Sequence, residues 1–298
     1  MRMRVAVGLA VCSFALSGWA AGPEAAPDSS LPTFRVTTAE IHIALTAVQG
    51  KNQPVADLTP SDIEILRDGR AVTDLVSFQR YSNGPLSALV MVDVSDSMAK
   101  ALPLERAASQ WLVMNSDAAR DQFSFVDFGE EAKPDDWDGE PRGHLTSLYD
   151  AVLATMESFA RHSTGRRSLI LLTDGIDNYS IHSLNDVIAS AQRLDVAVYA
   201  ITAHPNKKQF YRADVLTHLC EETGGRYFEG RKSPEILNAM ANIRDELRNG
   251  YEVVFRPDAA GAGMHEVAIH ATQRRLKLFH RTAYFQPATT GDEIAALR

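Results

Sequence analysis

Two hydrophobic rhythms divide the chain. From residue 34 apolar side chains recur at every second position, with Ile41, Ile43, Leu45 and Ala47 on one face, until Gly50, Lys51, Asn52, Gln53 and Pro54 turn the chain. Thr59, Pro60, Ser61 and Asp62 have the order of an N-cap, a first-turn proline and an early acid, which predicts one short helical turn. The β-rich runs 63–66 and 72–78 flank Arg67, Asp68, Gly69 and Arg70, and Asp-Gly in that place predicts a hairpin. Residues 33–82 thus read as a small β-unit.

From Leu86 strand and helix patterns alternate, which predicts an open, mostly parallel sheet with helices on both faces. The apolar run 86–92 is its first strand. Leu104, Ala107, Ala108, Trp111 and Leu112 then recur at helical spacing and mark an inner helix face, and 121–128 is the next strand. A helix begins near Ser147 with Leu148, Ala151, Val152 and Met156 inward. The continuous apolar run 168–172 suits a strand buried on both faces. Ser183 caps a helix through Leu194, 196–201 is a strand, and the helix 214–222 is stopped by Gly224 and Gly225. A short strand at 226–228 precedes a helix opened by Ser233, Pro234 and Glu235, with Ile236, Met240, Ile243 and Leu247 inward.

After Gly250 the β rhythm returns at 251–255, 265–271 and 275–285. Neither β flank has enough apolar surface to be stable alone, so residues 33–82 and 251–286 are expected to form one small β-sandwich, with 85–250 inserted between them. Arg274, Arg275, Lys277 and Arg281 alternate with Leu276, Leu278 and Phe279 and read as the solvated face of an edge strand. Residues 287–298 read as a tail.

Composition adds the compartment. With 45% hydrophobic and 23% charged residues the chain has a globular rather than a disordered balance. Arg2 and Arg4 precede an apolar run, 5–16, that is shorter than the roughly 20 residues of a membrane span. Gly18 and Ala20 follow where a signal peptidase reads small residues. The expectation is a signal peptide over 1–20, a linker over 21–32, export to the periplasm or the exterior, and no membrane span in the mature chain. Cys12 would leave with the signal, so Cys220, in apolar surroundings, is expected as a buried core thiol without a disulfide partner. The net charge of −8 becomes more negative once Arg2 and Arg4 are lost, which argues against nucleic acid as a partner.

The candidate chemistry lies where the strand 86–92 ends in Asp93, Ser95 and Ser97. A carboxylate and two hydroxyls on one tight loop, at the carboxyl edge of an open sheet, converge on the crevice where such folds place ligands. Oxygen donors of this kind suit Mg²⁺, Ca²⁺ or Mn²⁺ rather than zinc or copper. By themselves the same residues also suit a turn and a helix N-cap. Two later positions change that balance: Thr146 just ahead of a helix, and Asp174 at the end of the buried strand.

This set, Asp-x-Ser-x-Ser, then Thr, then Asp, resembles the metal-ion-dependent adhesion site of von Willebrand factor type A domains over roughly 86–250. The resemblance implies a Rossmann-like sheet with a divalent cation held by Asp93, Ser95, Ser97, Thr146 and Asp174. The expected ion is Mg²⁺, with Mn²⁺ or Ca²⁺ as alternatives. It further implies protein–protein interaction or adhesion through an Asp or Glu of a partner protein, and two carboxylates would leave the cation able to attract one. The acidic segment 129–140 would border that contact surface. Asp177 is expected to shape its loop, Asp96 to be solvated, and His144 to be an ordinary loop residue.

The flanks resemble those of a bacterial exported group related to this domain, through Pro54, Val55, Leu58, Asp62, Ile63, Ile65, Asp68, Gly69 and Phe78 and the closing pair Tyr284 and Phe285. Arg67 departs from that pattern where an acid is common, a difference expected to touch only the hairpin surface. Two other functions compete. A metal-dependent hydrolase would need a general base beside the ion, and among His and Glu only His144 lies in the three loops, with no Gly-x-Ser-x-Gly elbow, so no enzyme is expected. A structural envelope protein with a non-functional site is opposed by five intact ligand positions.

Overall fold

A computed structural model describes residues 40–50, 52–82, 84–130, 132–134, 143–204, 210–257, 261–272 and 275–287. The expected signal peptide, linker and tail, and most of the acidic segment 129–140, lie outside the described residues.

Five strands come first: β1 (Ile41–Gln49), β2 (Gln53–Pro54), β3 (Ile63–Arg67), β4 (Arg70–Ala71) and β5 (Leu75–Arg80). The alternating region follows as β6 (Leu86–Asp93), α1 (Leu102–Met114), β7 (Gln122–Phe128), β8 (Ala132–Pro134), α2 (Leu148–His162) and β9 (Arg166–Leu172). It continues as α3 (Leu184–Leu194), β10 (Val196–Ala203), α4 (Ala213–Thr223), β11 (Tyr227–Gly230) and α5 (Ser233–Asn249). The chain closes with β12 (Tyr251–Phe255), β13 (Gly263–Ala271), β14 (Leu276–Phe279) and β15 (Ala283–Gln286).

The central sheet has the order β11-β10-β9-β6-β7-β8 and is parallel except for β8. Alternation within β6 explains its two-sided burial. Ala88, Val90 and Val92 pack with Leu102, Ala108 and Leu112 of α1 and with Met240 and Ile243 of α5. Leu89 and Met91 point the other way, toward Val152 and Met156 of α2, Val187 of α3 and Leu216 of α4. Both faces are covered, so every residue of β6 is buried. The chain leaves β6 toward β7 on one side and later returns to place β9 on the other, so the strand order reverses between β6 and β9. That reversal opens the crevice in which doubly wound sheets bind ligands.

The flanking strands form two more sheets, β14-β1-β12-β5 with β2 beside β1, and β15-β13-β3-β4. Each mixes strands from before and after the α/β region, as in β1 with β12 and β3 with β13. One apolar cluster fills the space between them, including Ile41, Ile43, Leu45, Ile65, Val253, Phe255, Ile269 and Tyr284.

Four details differ from the sequence-based expectations. The Asp68-Gly69 turn does form, with both residues at positive φ, but its hairpin holds only the pairs Leu66 with Ala71 and Arg67 with Arg70. The second arm then leaves, and β5 pairs with β12 in the opposite sheet. Arg67 is not a hairpin-surface residue: it is buried and donates to Tyr284 Oη at 2.7 Å and to Gln286 Oε1 at 3.1 Å. Arg281 is not solvated either, because it reaches from the sandwich to the α/β region, donating to the carbonyls of Gln192 at 3.0 Å and His42 at 2.6 Å and pairing with Asp195 at 2.9 Å. Finally, α1 is turned on its axis relative to its apolar pattern, with Leu102, Glu105, Ala108, Ser109 and Leu112 inward and Leu104, Ala107 and Trp111 only half-buried. Trp111 instead lies under the Arg244 guanidinium, 4.9 Å from the ring centre.

Candidate metal centre

Three loops meet at the carboxyl edge of the sheet around the β6–β9 reversal. The first leaves β6 at Asp93. Register places Val92 beside Leu172, so Asp93 and Thr173 emerge together from adjacent strands. Asp93 is wholly buried: its Oδ1 accepts from the Ser95 amide at 3.0 Å, and its Oδ2 accepts from the Thr173 hydroxyl at 2.7 Å. A short 3₁₀ turn over Asp96–Met98 then carries Ser97 back, so that the Ser95 and Ser97 hydroxyls stand 3.0 Å apart.

The second loop is tied to the first by the Asp96 amide, which donates to the Gly143 carbonyl at 3.0 Å. Thr146, buried just before α2, is in turn clamped to the third loop. Its amide donates to Asn178 Oδ1 at 2.8 Å, and its carbonyl accepts from the Asn178 amide at 3.1 Å.

The third loop begins at Asp174, whose Oδ1 accepts from the Ile176 amide at 3.1 Å while the Ser97 hydroxyl also donates to the carboxylate. Gly175 adopts φ +77°, and a side chain there would meet Leu216 of α4 at 2.8 Å. Thus Asp93, Ser95, Ser97 and Asp174 are joined in one hydrogen-bonded chain, and Thr146 is tied to the third loop through Asn178.

The electrostatics are those of two acids buried close together. Burial, and after it the charge of Asp174, pushes the Asp93 carboxyl up to about 6. Burial also raises Asp174, and its Oδ2 is buried without a hydrogen-bond partner among the described residues. A buried carboxylate oxygen left unsatisfied is costly, and a hard cation is the natural means of satisfying it. The donor set of two carboxylates and three hydroxyls fits such an ion. Among the described residues no group of three His, Cys, Asp or Glu side chains is placed to hold a metal.

The other loop residues fall where their chemistry suggests. Asp177 accepts from the Ser180 hydroxyl and amide and from the Tyr149 amide, and so shapes the loop. His144 is 91% exposed and lies 2.7 Å from the half-exposed Asp96. Burial pushes the Cys220 thiol well up, as for an inert core residue.

The α/β region, a mostly parallel sheet with helices on both faces, is similar to solved structures that include a von Willebrand factor type A protein. Among solved structures, the chain is similar to proximal thread matrix protein 1 from the mussel byssus at 13% identity and a TM-score of 0.48, covering 67% of this chain and 50% of that one. A form of the mussel protein with a zinc-occupied MIDAS motif aligns at 14% identity and a TM-score of 0.45, covering 58% of this chain and 47% of that one. A von Willebrand factor type A protein from Catenulispora acidiphila aligns at 11% identity and a TM-score of 0.47, covering 84% of this chain and 75% of that one. This chain therefore spans about half the length of the mussel protein. No family model and no curated protein matches the chain.

One contributor to the site, Thr173, and one buried acid, Glu105, were not apparent in the sequence. Thr173 directly precedes the ligand candidate Asp174, yet its partner Asp93 lies across a strand boundary. Glu105 is fully buried in the first turn of α1. Its one sequence signal is that it stands in helical phase with Leu102, Ala108 and Leu112, an acid in an otherwise apolar stripe.

Proposed function

We propose that the protein binds one divalent cation, Mg²⁺ in preference to Mn²⁺ or Ca²⁺, at Asp93, Ser95, Ser97, Thr146 and Asp174, and uses it to capture an Asp or Glu of a partner protein after export. The observation that carries this reading is the pair of buried carboxylates at the strand-order reversal, one held up at about 6 and the other with an orphaned oxygen. When bound, the ion would supply a positive point charge with a coordination position left for an incoming carboxylate. Asp93 and Asp174 provide the charge that retains it, and the Ser and Thr hydroxyls complete an oxygen shell without cancelling more of that charge. Tyr179 and Ile181, in the loop after Asp174, are 54% and 92% exposed and would give a docking partner apolar contact beside the ion.

A binding module accounts for these groups better than a hydrolase. The imidazoles on the metal loops are held outside the carboxylate cluster, His144 solvent-exposed against Asp96 and His182 paired with Asp150 at 2.7 Å. The direct test is Mg²⁺ and Mn²⁺ titration of the full chain and of Asp93→Ala and Thr146→Ala, followed by partner capture with and without EDTA. Both variants are expected to lose the ion and the partner while keeping the fold. Partner binding of equal strength in EDTA would rule the mechanism out and favour a structural role.

A further inference from the structure

A cleft of about 160 Å³ lies at the amino edge of the α/β sheet, away from the metal loops, between the first residues of β9 and β10 and the sandwich strands β1 and β12. Three arginines line it: Arg166, Arg167 and Arg281. Arg167 and Arg281 converge on the last turn of α3, donating to the carbonyls of Leu194 at 2.8 Å and Gln192 at 3.0 Å. Arg166 donates to Thr46 Oγ1 at 2.9 Å and, at greater length, to the carbonyls of Glu246 at 3.5 Å and Leu247 at 3.4 Å.

Capping helix ends accounts for these bonds but not for the charge. Among the described residues only Arg281 bonds a carboxylate, that of Asp195 at 2.9 Å. The other acid lining the cleft, Glu252, faces His42 at 3.0 Å, and the buried Glu246 is paired with Arg226. Arg166 is 8% exposed with neutral partners, and half-buried Arg167 spends one nitrogen on Leu194. Each of the three arginines also keeps a buried Nε–H without an acceptor. Buried cations are ordinarily matched by an anion. Three guanidinium charges against Asp195 and Glu252 leave one in excess, which the helix-end carbonyls offset only in part.

We propose that this cleft binds a small organic monocarboxylate. The nitrogens of Arg167 not spent on Leu194 would hold its oxygens, since a guanidinium fork matches a carboxylate. Arg166 and Arg281 would supply the surrounding positive field, and Tyr81 and Tyr251, which also line the cleft, would flank the carbon part. One carboxylate neutralises the excess charge, whereas a phosphate dianion would overshoot it. Bound there, the acid would tie the sandwich to the α/β region, and the site is independent of the metal reading above.

The test is calorimetric titration of the full chain with sodium acetate and sodium benzoate in metal-free buffer, with phosphate and chloride compared at equal ionic strength. Saturable binding of a carboxylate, tighter than that of phosphate and absent with chloride, is expected. Arg167→Gln should weaken it by about tenfold or more. Glu252→Gln removes a competing negative charge and should tighten it, a gain that a damaged fold would not produce. No saturable carboxylate binding to the unaltered chain, affinity unchanged in Arg167→Gln, weaker binding in Glu252→Gln, or phosphate bound more tightly than either carboxylate would each overturn the proposal.

Discussion

Thr173 Oγ1 donates to Asp93 Oδ2 across 2.7 Å, a bond between residues eighty positions apart in the chain. It joins the ends of β9 and β6 at the point where the sheet reverses its strand order, and it leaves the Asp93 carboxylate facing the loops. The same hydroxyl accepts from the Gly175 amide at 3.1 Å, so one side chain ties Asp93 to the turn that follows Asp174.

Replacing Thr173 by Val keeps the shape and removes this bond. A hydrogen bond to a buried charged group contributes about 1.5–3 kcal/mol, so Thr173→Val should weaken Mn²⁺ binding by roughly ten- to hundredfold. Calorimetric titration checks this, and a Val variant with wild-type affinity would show that Asp93 is oriented by other means.

The pH dependence follows from Asp93. Its carboxyl, ordinarily at 3.8, is raised to about 6, so between those values the native state holds a proton that the unfolded chain has released. Stability in EDTA should therefore fall as pH rises through that window, while affinity for the ion, which needs the carboxylate, should rise through about 6. Glu246, raised by burial to about 7 despite its ion pair with Arg226, adds the same sign outside the metal loops. Melting curves from pH 4 to 8 with Mg²⁺ and with EDTA separate the two, because only the metal-loop part differs between them.

Gly175→Ala should destabilise the fold by about 1–3 kcal/mol. The left-handed backbone at φ +77° and the Leu216 side chain 2.8 Å from the added carbon both oppose it. Urea unfolding measures the loss. Metal affinity should drop as well, since the strain falls on the residue after Asp174.

Tyr251 offers a control remote from the ion. Its hydroxyl accepts from the Leu58 amide at 3.0 Å and donates to the Val55 carbonyl at 2.9 Å, binding the two ends of the sandwich. Tyr251→Phe should cost about 1–3 kcal/mol and leave Mn²⁺ affinity unchanged. Removing the residues after Gly250 should go further and make 40–80 sensitive to protease, because β1 loses β12 and β14 and β3 loses β13. Unchanged resistance would mean that the N-terminal strands fold alone.

Local pattern was enough for the alternating α/β architecture, the two-sided burial of β9, and the loop of Asp93, Ser95 and Ser97 at the end of β6, while the small apolar surface of each β flank was the ground for expecting the two to share one sandwich. Period two, period 3.6 and a loop of Asp, Ser and Ser at a strand end are all relations among residues within a few positions of each other. The tertiary structure alone decided what those relations leave open. A helix with apolar residues on two neighbouring stripes can turn by part of a step without offending either, and packing against β6 and α5 chose the stripe that carries Glu105 inward. The second arm of the Asp68-Gly69 hairpin has the same β pattern whichever sheet it joins, and the availability of β12 took β5 away from β3. Thr173 beside Asp93, and Arg281 reaching to Asp195 and His42, depend on strand order and on contacts far apart in sequence, which local hydrophobic periodicity cannot specify.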